Sequence, residues 1–503
     1  MELRNHRRMP PTRCRKGNAT MRLSPMDAMF LYTESVSGPM HISSIYVLEG
    51  ELSRARVHEH FAERIHLIPS YRRKIAHVPL NLGHPKWVDD PDFDLGHHVR
   101  HHALPPDATL QDGIDAATKL NEPMLDRSRP LWLVYVITGI PDRTLILQMT
   151  HHAMIDGASG VELTTVIYDF QPTPREIEPP DAPWRPAGTQ TGMDLFGEAL
   201  QENLAKLRDE SSRSLLPNDG KQLELVGRAA EVFGNFLMRP AITAPFNAGA
   251  VGPRRRVRYL KKPFGEIREI RRALGGTIND VALTLVSEAV ARYLRAHDER
   301  VEKQYMRIMC PVNVRTEDQG GTLGNQVSAV FPMLPAWPMP SRGRLAVVRA
   351  EMERIKQREE AQAMTLASET AGRVWPLAMA PTQLVGTPFD PTALAARMPA
   401  PVAVNTGWRP PNPGINFVCT NVPGVQVPQY LAGHKVLDTI GLLVLTGNVG
   451  FSITILSYNK ELFFGFICEP RLLPDLELIV EGVDSTFEEL LEEARQDAVQ
   501  TTE

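Results

Sequence analysis

The chain has 503 residues, 43% of them hydrophobic and 23% charged, with a formal net charge of -4 and a sequence pI near 6.5. That is enough chain for two domain-sized cores, and it excludes any general positive field toward nucleic acid or anionic membranes. The four cysteines (Cys14, Cys310, Cys419, Cys468) form no C-x-x-C pair, which excludes a zinc ribbon or a dithiol site and fits a reducing compartment.

The first twenty residues carry six Arg or Lys against one Glu, with no apolar stretch of the kind a secretory signal requires. Residues 1–21 therefore read as a disordered basic extension, and Met21 looks like a natural beginning. Leu23 to Gly50 starts with a Ser-Pro-x-Asp turn or cap, continues in an aromatic and aliphatic cluster and ends in a strand from Ile42 to Leu48. His41 before that strand reads as structural. Arg54 to Leu67 reads as a helix, followed by a polar loop and a cluster of His97, His98, His101 and His102 beside Asp89, Asp90, Asp92 and Asp94. His98 and His102 would share a helical face at i, i+4, but the H-E-x-x-H glutamate is missing and a tight site needs three or four convergent ligands. A solvated loop and strand entry is the expectation, with no metal.

Leu110 to Leu120 reads as a helix. Arg129 to Ile137 and Thr144 to Thr150 read as two strands paired across a Pro-Asp-Arg turn, the second of them apolar enough to be buried. It runs straight into HHAMIDG, His151 to Gly157, after which Leu163, Val166, Ile167 and Phe170 return at helical spacing. Side chains alternate along an extended backbone, so the two imidazoles point apart. One is available for chemistry and the other packs. A neutral imidazole is the usual general base near pH 7, and His152 is the candidate. Asp156 would orient the ring or brace the turn, and Gly157 would let the chain leave the strand in a conformation other residues resist. Two core histidines in a polar loop is the competing reading of the motif taken alone.

Gln171 to Gly192 has linker composition, and Asp194 to Met238 reads as helical with an interruption at SLLPNDGK. In GPRRRVRYLKK, Arg254, Arg256 and Arg258 would line one side of a strand, either to hold a phosphorylated cofactor or to protect a solvated edge. Gly276 to Leu294 reads as a capped helix with Asn279 and Asp280 at its start, where an anion or polarised oxygen is favoured and where Asn279 would equally serve as a cap. Strands are expected over the stretch ending at Asn313 and Arg315, over Gly324 to Leu334 and over Ile415 to Gly424. Between the last two lie a helix, Arg342 to Arg358, and an irregular Pro- and Ala-rich stretch, Val374 to Pro413. IGLLVLT and FSITILSY flank Thr446, Gly447, Asn448 and Gly450, the turn chemistry of a hairpin rather than of a membrane span. A further strand and an amphipathic helix, Leu476 to Arg495, close the chain.

Spacing sets several chemistries aside. The chain has no G-x-G and no G-x-x-x-x-G-K. Ser159 stands beside His152 and Asp156, but GASGV misses the nucleophile elbow. What is left is a histidine base without a nucleophile of its own, which suits direct transfer between two bound substrates, with a thioester as the natural activated partner.

LSPMDAMF, PMH, PLW, HHAMIDG, GPRRR, TINDVAL, PVNVR, GNQVS, TNVPG and SYN followed by FGF occur in the order found in bacterial wax ester synthase/diacylglycerol acyltransferases. The chain resembles that family from about Met21 to Phe487. The resemblance implies an α/β fold of two chloramphenicol-acetyltransferase-like domains, each a mixed β-sheet flanked by helices, with a tunnel between them. The divisions would be 22–170 for the first domain, 171–250 for the linker and connecting helices, 251–495 for the second domain and 496–503 for a tail. It implies an O-acyltransferase moving a long-chain acyl group from acyl-CoA, a co-substrate and not a cofactor, to diacylglycerol or a long-chain alcohol. His152 would be the base, with His151, Asp156 and Gly157 shaping its loop, and Asn279, Asp280, Arg315 and Asn421 would bind substrate from the second half. A condensation-type enzyme using a carrier-protein thioester, or a different acceptor, is the alternative within the superfamily. A cytoplasmic protein associated peripherally with a membrane or lipid-droplet surface is expected, with no nucleic-acid partner. Leu133, where the family usually has an acidic residue after PLW, and Thr150, where it has a lysine or similar, put the acceptor in question.

Overall fold

The computed structural model describes residues 21–154, 163–188, 191–210, 227, 234, 239–313, 327–358, 412 and 414–500. In chain order these form β1 (Met21–Arg22), α1 (Pro25–Thr33), β2 (His41–Glu49), α2 (Arg54–Arg64), β3 (Arg73–Ala76), β4 (Lys86–Asp89), α3 (Leu95–His98), β5 (Val99–Ala103), α4 (Leu110–Leu120), β6 (Trp132–Ile140) and β7 (Arg143–His151). Then come α5 (Gly192–Glu210), β8 (Arg256–Pro263), α6 (Phe264–Leu274), α7 (Ile278–Ala296), β9 (Tyr305–Asn313), β10 (Val327–Val330), β11 (Met333–Pro335) and α8 (Ser341–Gln357). The last are β12 (Phe417–Pro423), β13 (Tyr430–Leu431), β14 (His434–Leu442), β15 (Phe451–Tyr458), β16 (Glu461–Cys468) and α9 (Leu476–Gln500).

Two large mixed sheets carry the fold. The first has the order β13-β14-β2-β7-β6-β5, and the second β10-β9-β12-β15-β16-β8, with β11 also paired to β9. β7 is central in the first sheet and buried at every residue but its first, which is why it reads as a nearly unbroken apolar run. Helices α6, α7 and α9 pack on the second sheet around a core that includes Val286, Val290, Phe417, Ile453 and Phe487. Helix starts follow the local chemistry: Ser24 accepts the Asp27 N–H with Pro25 in the first turn, and Thr109 and Thr277 each form a reciprocal capping box, with Asp112 and Asp280 respectively.

One expectation needs correction. The hairpin across Thr446 to Gly450 does not form: β14 pairs antiparallel with β2 in the first sheet, while β15 pairs with β12 and β16 in the second. The turn residues instead guide a crossing between sheets, with the Val251 N–H donating to the Gly447 carbonyl and the Gly450 N–H to that of Phe246. The last part of the chain thus completes the sheet begun by the first part. The strand entry expected around His97 to His102 is present: α3 ends at His98, and pairing with β6 makes Val99 to Ala103 a strand, so His98 and His102 share no helical face. The helix expected over Asp194 to Met238 is described as α5 as far as Glu210; most of the remainder lies outside the described residues, as does nearly all of the Val374 to Pro413 stretch.

Among the described residues no helix is long and apolar enough to cross a membrane.

Candidate active site

β7 ends in the two histidines, and their environments differ as the alternation of a strand requires. His151 is fully buried. Its N–H donates to the Leu131 carbonyl, and its Nδ1 accepts the N–H of Ala153 at 3.0 Å. A neutral imidazole whose Nδ1 accepts carries its proton on Nε2. That nitrogen lies 3.4 Å from Oε1 of Glu34, a side chain only 1% exposed. The other Glu34 oxygen accepts from the Arg127 guanidinium at 2.9 Å and 3.2 Å, and Oε1 also accepts the Met40 N–H at 2.9 Å. Burial by itself would raise the Glu34 pKa; His151, Arg127 and the Met40 amide outweigh it and hold the carboxyl down to about 2. Glu34 is therefore a carboxylate throughout the working pH range.

His152 faces the other way, into a cavity of about 480 Å³ between the two large sheets. Its ring stacks on Phe30 of α1, centroids 3.9 Å apart and planes 13° from parallel, and its N–H donates to the Met40 carbonyl at 2.8 Å. Along the first sheet the cavity runs past Thr150 and Gln148 of β7, then Ser44 and Tyr46 of β2, with Thr439 and Gly441 contributed by the crossing strand β14. The facing wall is Thr420, Asn421 and Val422 of β12 with Thr454 and Leu456 of β15. Among the described residues that line it none is Asp, Glu, Lys or Arg. Such a site admits a neutral, largely apolar chain and places one imidazole beside it.

The sequence-predicted residues separate into three groups. His152 and Asn421 line this cavity together, and Asn279 stands behind Asn421, whose amide donates to Asn279 Oδ1 at 3.3 Å. Asp280 turns its carboxylate back onto the Thr277 N–H at 2.8 Å, so it starts α7, and the cap is Thr277 and not Asn279. Asp156, Gly157 and Arg315 lie outside the described residues.

The remaining candidates have structural partners. His41 bonds the Asn121 carbonyl, and burial pushes it down to about 4. His98 lies between Phe93 and Trp132 and bonds the Trp132 carbonyl, while His97 and His101 go to Arg100 and Thr138. The arginine row is engaged as well. Arg258 pairs with Asp115 and Glu477, Arg256 donates to the Pro474 carbonyl, and Arg254 reaches Glu122. Their neighbour Arg255 is half-buried, donating to the carbonyls of Ser37, Gly252 and Leu445.

Sequence reasoning passed over Phe30, Glu34 and Arg127. The available signal was a carboxylate four residues after an aromatic at the end of an apolar segment, MFLYTES.

Two family models match the chain. The wax ester synthase/diacylglycerol acyltransferase catalytic domain covers residues 23–282, and the C-terminal domain of the same family covers 323–491. Among curated proteins, a putative diacylglycerol O-acyltransferase of Mycobacterium tuberculosis is 29% identical over 94% of this chain and 91% of its own. A probable diacylglycerol O-acyltransferase, tgs1, of the same organism is 28% identical over 93% and 95%. Among solved structures, the wax ester synthase/diacylglycerol acyltransferase of Marinobacter aquaeolei VT8 superposes with a TM-score of 0.62 at 21% identity, over 94% of this chain and all of that one. The starter condensation domain of rhizomide synthetase superposes with a TM-score of 0.55 at 13% identity, over 95% and 94%, and shares the fold.

Proposed function

The chain belongs to the wax ester synthase/diacylglycerol acyltransferase family and is an acyltransferase, and from that premise we propose that it transfers a long-chain acyl group from acyl-CoA to the hydroxyl of diacylglycerol or a long-chain alcohol, with His152 as the general base. The observation that carries this reading is one imidazole beside a cavity of about 480 Å³ whose described lining is largely apolar and without charged side chains. The His152 imidazole takes the acceptor's hydroxyl proton as the oxygen attacks the thioester carbonyl. The tetrahedral intermediate collapses by breaking the carbon–sulfur bond, and the imidazolium returns its proton to the departing CoA thiolate. No residue of the chain is acylated, which agrees with the lack of a nucleophile elbow. Asn421, on the opposite wall, gives one amide hydrogen to Asn279 and has a second to offer the developing oxyanion, an effect worth about 3 to 4 kcal/mol for a well-placed donor.

Both lipid substrates are insoluble, so the protein works at a lipid surface. Met193, Leu200 and Leu204 of α5 and Leu80 leave large apolar side chains exposed and support contact there.

Purified protein is incubated with palmitoyl-CoA and either hexadecanol or dioleoylglycerol while free thiol is followed. His152→Ala is expected to lower CoA release by roughly 10² to 10⁴. Equal release by the two proteins would remove His152 from the base role.

A further inference from the structure

Helix α1 lies outside the His-His motif, yet two of its residues, one helical turn apart, hold His152 from different sides. Phe30 lies flat against the imidazole at 3.9 Å and fixes the plane of the ring. Glu34, at the C-terminal cap of α1, reaches the backbone on both flanks. Its Oε1 accepts the Met40 N–H, and the Met40 carbonyl in turn accepts the His152 N–H. The same oxygen faces Nε2 of His151, whose Nδ1 accepts the Ala153 N–H. The amides of residues 152 and 153 are thus both tied, through one intermediary each, to a single buried carboxylate.

The approach is built into the chain. After Glu34, Ser35 and Gly38 exchange both backbone hydrogen bonds, a turn that brings Met40 back under the Glu34 side chain. Arg127 supplies the counter-charge that lets a carboxylate persist at 1% exposure. An amide in its place fails in either orientation. With its oxygen toward Met40 and His151 it turns an NH2 onto the Arg127 guanidinium; flipped, it turns that NH2 onto the Met40 and His151 N–H groups.

We propose that Phe30 and Glu34 are positioning residues for the general base, Phe30 setting the plane of the His152 ring and Glu34 the backbone that carries it. The inference rests on His152 being that base. A small displacement of a reacting group lowers the rate of the bound complex without weakening substrate binding in proportion, so the effect falls on kcat.

The test compares Phe30→Leu, Phe30→Tyr, Glu34→Gln and His152→Ala in CoA release from palmitoyl-CoA and hexadecanol, with the thermal midpoint and the folded fraction of each protein recorded. Phe30→Leu and Glu34→Gln are expected to lower kcat about ten- to a hundredfold per folded molecule, with the KM for palmitoyl-CoA held within about twofold, and Phe30→Tyr, which keeps the ring face, is expected to restore kcat. If Glu34→Gln does not fold, the two Phe30 variants decide. Wild-type kcat in Phe30→Leu, or a loss fully matched by its unfolded fraction, with His152→Ala inactive, would overturn the positioning role and leave the base standing. Full turnover by His152→Ala would overturn the base and this inference with it.

Discussion

Gly441 and Gly465 meet where the two large sheets approach, so closely that a Cβ built on Gly465 would lie 2.5 Å from the Gly441 carbonyl oxygen. Gly441 belongs to the crossing strand β14 and lines the cavity, and Gly465 belongs to β16 of the second sheet. Their missing side chains let a strand from the last part of the chain sit in the first sheet and still touch the second. Gly465→Ala sets its new methyl against backbone, which cannot rotate away, and is expected to cost about 1 to 3 kcal/mol. Gly441→Ala meets the Thr454 side chain instead, at 2.5 Å, and is expected to cost less. Urea unfolding of the two variants checks the order, and Gly465→Ala should also raise the KM for long-chain substrates by shifting the strand that walls the cavity.

Acid should destabilise the protein in two stages. Burial pushes His41 and His98 down to about 4 from the ordinary 6.5, and both side chains are nearly inaccessible. Between those values the unfolded chain binds more protons than the folded one, so stability falls as the pH drops from about 6.5 toward 4. The limiting slope is about 1.4 kcal/mol per pH unit for each histidine. Glu34 acts lower: its folded pKa of about 2 lies below the ordinary 4.5, so its contribution is full above about 4.5 and is lost as the pH falls toward 2. Replacing His41 and His98 together with Gln should flatten the stability curve between pH 6.5 and 4 relative to wild type, measured by urea unfolding across that range.

Local signals were legible wherever the neighbours that decide the structure are close in sequence. The apolar run before His151 is central in its sheet, α4 spans the expected Leu110 to Leu120, and α7 falls on the helix expected from Gly276 to Leu294, although its cap is Thr277. The hairpin at Thr446 to Gly450 was misread because its turn chemistry is sound while the partner of β14 is β2, almost four hundred positions earlier in the chain. At His98 and His102 the i, i+4 spacing competed with the expected strand entry, and pairing with β6 decides for the strand. In the candidate site His152 was readable as a candidate from its motif, whereas Glu34 was passed over. Its burial depends on Arg127 and His151 arriving from distant parts of the chain, so the local signal in MFLYTES could mark the carboxylate but not its partners.

Asp280 offers a direct separation of cap from substrate contact. Thr277→Ala removes the side chain that accepts the Asp280 N–H and should cost about 1 kcal/mol. Asp280→Asn weakens the return bond to the Thr277 N–H. Both variants should lower the urea midpoint while leaving the KM for acyl-CoA unchanged. A tenfold rise in KM confined to Asp280→Asn would give that carboxylate a role in binding.

Arg64 and Asp169 form the most enclosed ion pair between the start of the chain and the segment that follows the motif, 3.0 Å apart with side chains 1% and 2% exposed. Asp169 also exchanges backbone hydrogen bonds with Tyr430 of β13, so one residue joins α2, the connection after β7 and the strand returning from the second half. Taking two charges out of water is costly, and removing one partner leaves the other with only a more exposed one, Glu63 for Arg64 at 3.0 Å and Arg175 for Asp169 at 3.4 Å. Asp169→Leu and Arg64→Met are each expected to cost about 1 to 3 kcal/mol. Combining Arg64→Met with Asp169→Leu removes both charges and should be less destabilising than the sum of the single changes. Arg175, 3.4 Å from Asp169 and more exposed, loses a partner in that variant but can turn to water, which keeps the residual cost small. A double-mutant cycle in urea gives the coupling; additive losses would mean that the pair contributes through packing alone and that its charges are not coupled.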